Sequence, residues 1–155
     1  MAQLIKKLPL PKRRGEIIEA CCQLLDQEVS SKSGFSGFAI KTGYNILKTI
    51  KPGIVPEAVS RLFDEFLAAL DPFHADFEKT DAISFGAHLK THARSVAEAL
   101  LAITDRRAEK SVSATLKSGY YKLRPLALDH VRQAIPGVAN LVDRFYITKK
   151  PKSRS

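Results

Sequence analysis

The sequence predicts an all-α fold, a helical bundle built from two tandem three-helix repeats with pseudo-twofold symmetry. Apolar residues recur at helical spacing along most of the chain, the pattern of helices that bury one face. No alternating β-branched run bounded by turn residues is present, so the strand signal is missing. The third observation is an internal match: shifted by 76 positions, residues 39–48 (AIKTGYNILK) fall on residues 115–124 (TLKSGYYKLR).

The elements follow in order. A first helix is expected over about Glu16–Val29, with Ile17, Cys21, Leu24 and Leu25 on one stripe, stopped by the Ser30-Ser31-Lys32-Ser33-Gly34 cluster. A second spans about Ser36–Ile50 and ends at Lys51-Pro52-Gly53, where proline disfavours helix in the preceding residue and glycine frees the turn. A third begins near Pro56, a favoured first-turn residue, and carries Val59, Leu62, Phe63, Phe66 and Leu70. Asp71-Pro72 reads as a cap and restart, opening a short helical turn through Phe77. In the second half, a long helix is expected from about Ser84 to Arg106.

The same shift of 76 sets Leu24-Leu25 on Leu100-Leu101. With three more residues inserted, Val59, Leu62, Asp64 and Phe66 match Val138, Leu141, Asp143 and Phe145. Three matches in one order imply two copies packed on each other, neither able to bury its apolar faces alone. Gly43 and Gly119 coincide in this alignment. Glycine within a helix costs about 1 kcal/mol relative to alanine, and a close helix crossing at the pseudo-symmetric centre accounts for both.

Length and charge set the organisation. The 155 residues suit one domain with one core; with 45% hydrophobic and 26% charged residues, the composition excludes disordered, collagen-like and disulfide-rich classes. The net charge of +9 resides entirely in the ends: residues 1–14 hold Lys6, Lys7, Lys12, Arg13 and Arg14, residues 148–155 hold Lys149, Lys150, Lys152 and Arg154, and residues 15–147 are formally neutral. The chain therefore divides into a basic N-terminal arm (1–14), one helical domain (15–147, with repeats over about 15–80 and 81–147) and a basic C-terminal tail (148–155). Ends of this kind are usually mobile. Cys21 and Cys22 are adjacent, which suits neither a structural disulfide nor a metal site, so they read as buried, reduced thiols. No apolar run approaches a membrane span, and Lys6, Lys7 and Pro9 interrupt any signal-peptide core. A cytoplasmic location follows by default.

The stretch Lys32-Ser33-Gly34-Phe35-Ser36-Gly37, then Lys41-Thr42-Gly43-Tyr44, Lys51-Pro52-Gly53-Ile54-Val55-Pro56 and Phe66–Phe73 resembles a family of small all-helical bacterial proteins of unknown function. The resemblance covers about Glu28–Phe73 well and the second half loosely. It implies helices and a bacterial source, and supplies no activity, cofactor or catalytic residue.

Chemistry-bearing patterns are few. Lys41, Tyr44, Lys48 and Lys51 share one sector of their helix, and Lys110, Lys117, Tyr120 and Arg124 form the corresponding stripe. Interleaved cations and tyrosines can hold phosphates and stack on bases, so Lys41, Tyr44, Lys48, Lys117, Tyr120 and Arg124 are the candidate binding residues. The plainer reading is a solvated face whose tyrosines cover the core edge beside lysine stems. His88 and His92, four apart, can offer two metal ligands, but no complete ligand set accompanies them and no metal or cofactor is expected. His130 has no recognisable partner. Triads, nucleophile elbow, Walker loop and dinucleotide fingerprint are all missing, and no catalytic residue is assigned. The expected function is that of a non-enzymatic interaction or scaffold protein whose basic ends contact a polyanion, either nucleic acid or an anionic membrane surface. The alternative is a small-ligand-binding protein with an apolar pocket between the repeats.

Overall fold

The computed structural model describes residues 4–147, and its regular elements are all helical. After a short 3-10 turn at Leu4–Lys7 come α1 (Arg14–Ser30), α2 (Gly34–Ile50), α3 (Ile54–Phe77), α4 (Phe85–Thr91), α5 (Ala93–Glu109) and α6 (Ala114–Phe145). The all-α class and the first three helix positions agree with the sequence pattern. Gly53 takes a left-handed φ of 81° between α2 and α3, the conformation that the Lys51-Pro52-Gly53 turn was expected to need.

Three boundaries differ from expectation. Asp71-Pro72 does not restart a helix: α3 runs through Pro72, and the Asp71 carboxylate instead accepts the Leu4 amide at 2.9 Å. Near the end of a helix, a proline forfeits one backbone bond, and the buried Leu67, Leu70 and His74 on either side hold the helical course. The helix expected over Ser84–Arg106 is broken at His92 into α4 and α5, with no glycine or proline to mark the bend. Conversely, α6 continues unbroken through Pro125 and Pro136 for 32 residues, about 48 Å. The turn at residues 51–53 therefore has no counterpart in the second half.

Helix α6 is the spine, packing against α1, α2, α4 and α5. Its buried stripe of Ile135, Ala139, Val142 and Phe145 meets Phe63, Leu67 and Leu70 of α3, Phe85 and Leu89 of α4, Val96 and Ala97 of α5, and Ile17 and Ala20 of α1 in one core. Leu4 and Leu8 belong to that core, Leu4 being fully buried. This corrects the expected division at residue 14: residues 4–13 are not a detached arm but a basic strap whose leucines are anchored in the domain. The C-terminal tail, 148–155, lies outside the described residues.

Where α2 crosses α6 the two glycines receive reciprocal leucines. A Cβ on Gly43 would collide with the end of Leu123, and a Cβ on Gly119 would lie 3.0 Å from Leu47 Cδ2. Leu47 and Leu123 are themselves related by the shift of 76, so at this crossing each helix offers a hole to the other's leucine. The expected close approach is thus leucine on glycine rather than backbone on backbone.

Candidate functional site

Five of the six stripe residues, all but Lys41, are engaged by their own chain. The Tyr44 hydroxyl donates to Asp26 of α1 at 2.5 Å, and Lys48 Nζ stands 4.8 Å from the centre of the Tyr44 ring. Burial, then the Asp26 carboxylate, pushes the Tyr44 hydroxyl well above the usual phenol range. In the second half, Tyr120 donates to Asp105 of α5 at 2.5 Å and shares a 2.7 Å bond with Thr104 Oγ1. Arg124 grips the same Asp105 through Nε at 2.8 Å and a second nitrogen at 3.1 Å, a two-pronged geometry suited to carboxylate. Burial and then the Asp105 hydrogen bond push Tyr120 up to about 12; the Arg124 hydrogen bond, foremost, holds Asp105 low. Lys117 Nζ donates to the Glu109 carbonyl at 3.2 Å, and Lys41 is half-buried. The fold thus brings Tyr120 and Arg124 together on Asp105 and directs Tyr44 to α1. The residues that the sequence did not single out are Asp26 and Asp105; each lies in the last two turns of the helix preceding its tyrosine.

The N-terminal segment meets the end of the described chain. The Ile147 amide donates to the Lys7 carbonyl at 2.7 Å, which clamps the exit of α6 onto the N-terminal strap. Beside this clamp, the guanidinium carbons of Arg13 and Arg144 each stand 4.9 Å from the centre of the Phe145 ring. Arg13 also pairs with Glu16 at 2.6 Å and Arg14 with Asp64 at 2.8 Å. Lys6 and Lys12 are exposed and, among the described residues, Lys6, Lys7 and Lys12 have no ion-pair partner.

A buried aromatic and histidine cluster lies against the same end of the core. His74 is fully buried; its Nε2 shares a 2.7 Å bond with the Tyr146 hydroxyl, while Nδ1 has no hydrogen-bond partner. The ring packs edge-on against Phe85. His88, also buried, has its ring centre 4.5 Å from that of the exposed His92, the rings tilted by 55°, and leaves Nε2 unpartnered. Among the described residues, no group of three or more His, Cys, Asp or Glu side chains converges as a metal site would require. Cys21 and Cys22 are free and half-buried, and burial pushes the Cys21 thiol up to about 11, which makes it a poor nucleophile near neutral pH.

The histidines give a pH expectation. Burial holds His74 below its ordinary 6.5, against the opposing pull of Glu78 and Asp71 and with the help of Lys7. Burial and then the neighbouring His92 hold His88 low, opposed by Asp76. With folded values below the unfolded one, this stabilisation is complete above about pH 6.5 and is lost as the pH falls below it, because the unfolded chain then takes up protons that the folded chain refuses. The lowered carboxyls Glu16, Glu57 and Asp105 start from 4.5, 4.5 and 3.8, so they contribute little above pH 5.5. Burial and then Lys32 also hold His130 low, opposed by Asp129, so the urea midpoint is expected to drop between pH 7.5 and 5.5; a constant midpoint across that interval contradicts the desolvation of these three neutral histidines.

Between the halves, the α2–α3 turn and the α5–α6 turn enclose an open cleft of about 390 Å³. Its walls include Ile54, Ala58 and Leu116 together with Lys51, Arg61, Arg107 and Lys110, so a cavity lies where the alternative reading places one, but it carries four cations. No helix among the described residues is long and apolar enough to cross a membrane. In comparisons with known proteins, a family described as being of unknown function (DUF6918) matches residues 4–146. No curated protein and no solved structure matches the chain.

Proposed function

Because the chain belongs to this family of unknown function, we propose its role from its own surface: a non-enzymatic helical scaffold that contacts a polyanion through one composite basic end. The observation that carries this reading is the 2.7 Å bond from the Ile147 amide to the Lys7 carbonyl. It brings the segment bearing Lys6, Lys7 and Lys12 beside the point from which residues 148–155, with four further cations, continue. Charges gathered at one place neutralise adjacent phosphates of one ligand, whereas the same charges on separate ends cannot act together. The core leucines Leu4 and Leu8 anchor the N-terminal part of this end in the domain. The stripe residues Lys41, Tyr44, Lys48, Lys117, Tyr120 and Arg124 keep the lesser part in this reading, since Asp26 and Asp105 already occupy the tyrosines and Arg124.

The test neutralises charge without removing the leucines. A variant carrying Lys6→Gln, Lys7→Gln and Lys12→Gln, combined with deletion of residues 148–155, is expected to retain its thermal transition and to lose most affinity for duplex DNA, single strands or anionic vesicles, whichever the full chain binds. Vesicle binding would follow about 1 kcal/mol per basic residue near the surface. Unchanged affinity, or no binding of any of the three by the full chain near physiological salt, refutes the proposal.

A further inference from the structure

We propose that the cleft between the α2–α3 and α5–α6 turns is a binding site for a small ligand bearing a diphosphate or similar multiply charged phosphate group, independent of the basic end. Four cations line it, Lys51, Arg61, Arg107 and Lys110, against a single carboxylate, Glu57. Like charges drawn this close raise the energy of the ligand-free protein unless an anion sits among them. Glu57 plays that part at one side: its carboxylate takes Lys51 at 3.1 Å and Arg61 at 3.0 Å. Those contacts, the Lys51 hydrogen bond first, together with the more distant charge of Arg107, hold the Glu57 carboxyl below the usual range. Arg107 and Lys110 have no ion-pair partner among the described residues. One internal anion thus faces four cations, and the uncompensated charge lies on the α5–α6 side.

The remaining wall fits the rest of such a ligand. A volume of about 390 Å³ is at the lower end of small-molecule sites, which combine apolar walls with a few placed polar groups, and is too small for a folded partner. Ile54, Ala58 and Leu116 supply the apolar wall, and Val112 stands fully exposed at the rim. Guanidinium forks such as those of Arg61 and Arg107 match phosphate oxygens two at a time. A phosphate group seated there would displace Glu57 from Lys51 and Arg61 or share them with it.

This competition gives a test that misfolding cannot imitate. Inorganic pyrophosphate and adenosine diphosphate, titrated calorimetrically into the full chain, are expected to bind saturably. Glu57→Gln, which removes the competing carboxylate, is expected to tighten binding about tenfold, while Arg107→Gln with Lys110→Gln is expected to weaken it by more than tenfold. The Lys6, Lys7 and Lys12 variant should bind as the parent does, which separates this site from the basic end. Absence of saturable binding of either probe at millimolar concentration overturns the proposal, as does weaker binding by Glu57→Gln or unchanged binding by the Arg107 and Lys110 variant.

Discussion

Gly86→Ala is expected to destabilise the protein by about 3 kcal/mol or more, at or beyond the upper end of overpacking costs. A methyl group on Gly86 would lie 2.6 Å from the Ala139 carbonyl oxygen of α6 and would collide with the Asp143 carboxylate. The carbonyl is part of the spine and cannot rotate away. Asp143 is also committed: it accepts the Gly86 amide and the Ser84 hydroxyl, each at 2.8 Å, and so fastens the start of α4 to α6. Gly119→Ala provides the control. There the nearest atom is the terminal methyl of Leu47 at 3.0 Å, which can shift by a few tenths of an ångström while alanine gains about 1 kcal/mol in helix propensity. Its net effect is expected within about 1 kcal/mol of zero. Chemical denaturation of both variants checks the contrast, and equal losses would mean that α4 does not rest directly on the α6 backbone.

Leu4→Ala is expected to cost roughly 2–5 kcal/mol, the range for emptying a fully buried leucine site, which lowers the melting temperature by on the order of 10 °C in a protein of this size. Leu4 is completely buried, and its amide is tied to Asp71 at 2.9 Å. Exposed Ile5, beside it on the strap, is the comparison: Ile5→Ala should change stability by less than about 1 kcal/mol. A Leu4→Ala protein as stable as the parent would return residues 4–13 to the status of a loose arm and would remove the anchor beneath the basic end.

Helical class and the central crossing were legible because they follow from periodicity and from a glycine that needs a reason. Gly43 and Gly119 each break a local preference, and both lie where the partner half inserts a leucine. Other features rested on tertiary contacts that no local pattern records. Asp71-Pro72 reads as a restart that burial of the flanking Leu70 and His74 overrides, and α6 runs on through Pro125 and Pro136, whereas the bend at His92 carries no breaker at all. No local pattern marks Leu4 and Leu8 as core residues, since only their burial in the domain core reveals a strap. For the candidate sites, the Lys/Tyr stripes were visible as helix faces, but Asp26 and Asp105 come from other helices, so their engagement could not be read from spacing. The cation-lined cleft is likewise assembled from two turns that lie nearly sixty residues apart in sequence, beyond the reach of any short motif.

The central claim, that the two basic ends act as one polyanion-binding surface, is tested most directly by the salt dependence of duplex DNA affinity. Each neutralised phosphate contributes about 0.9 to the slope of log K against log salt. Removing Lys6, Lys7 and Lys12 by glutamine substitution together with residues 148–155 takes away seven cations, and if about four of them contact phosphate the slope should flatten by ~3–4 units. Removal of either group alone is expected to flatten the slope partly while affinity falls steeply, because each group depends on the other for adjacent contacts. A slope unchanged by the combined variant would contradict the account and leave the basic ends as solubilising segments.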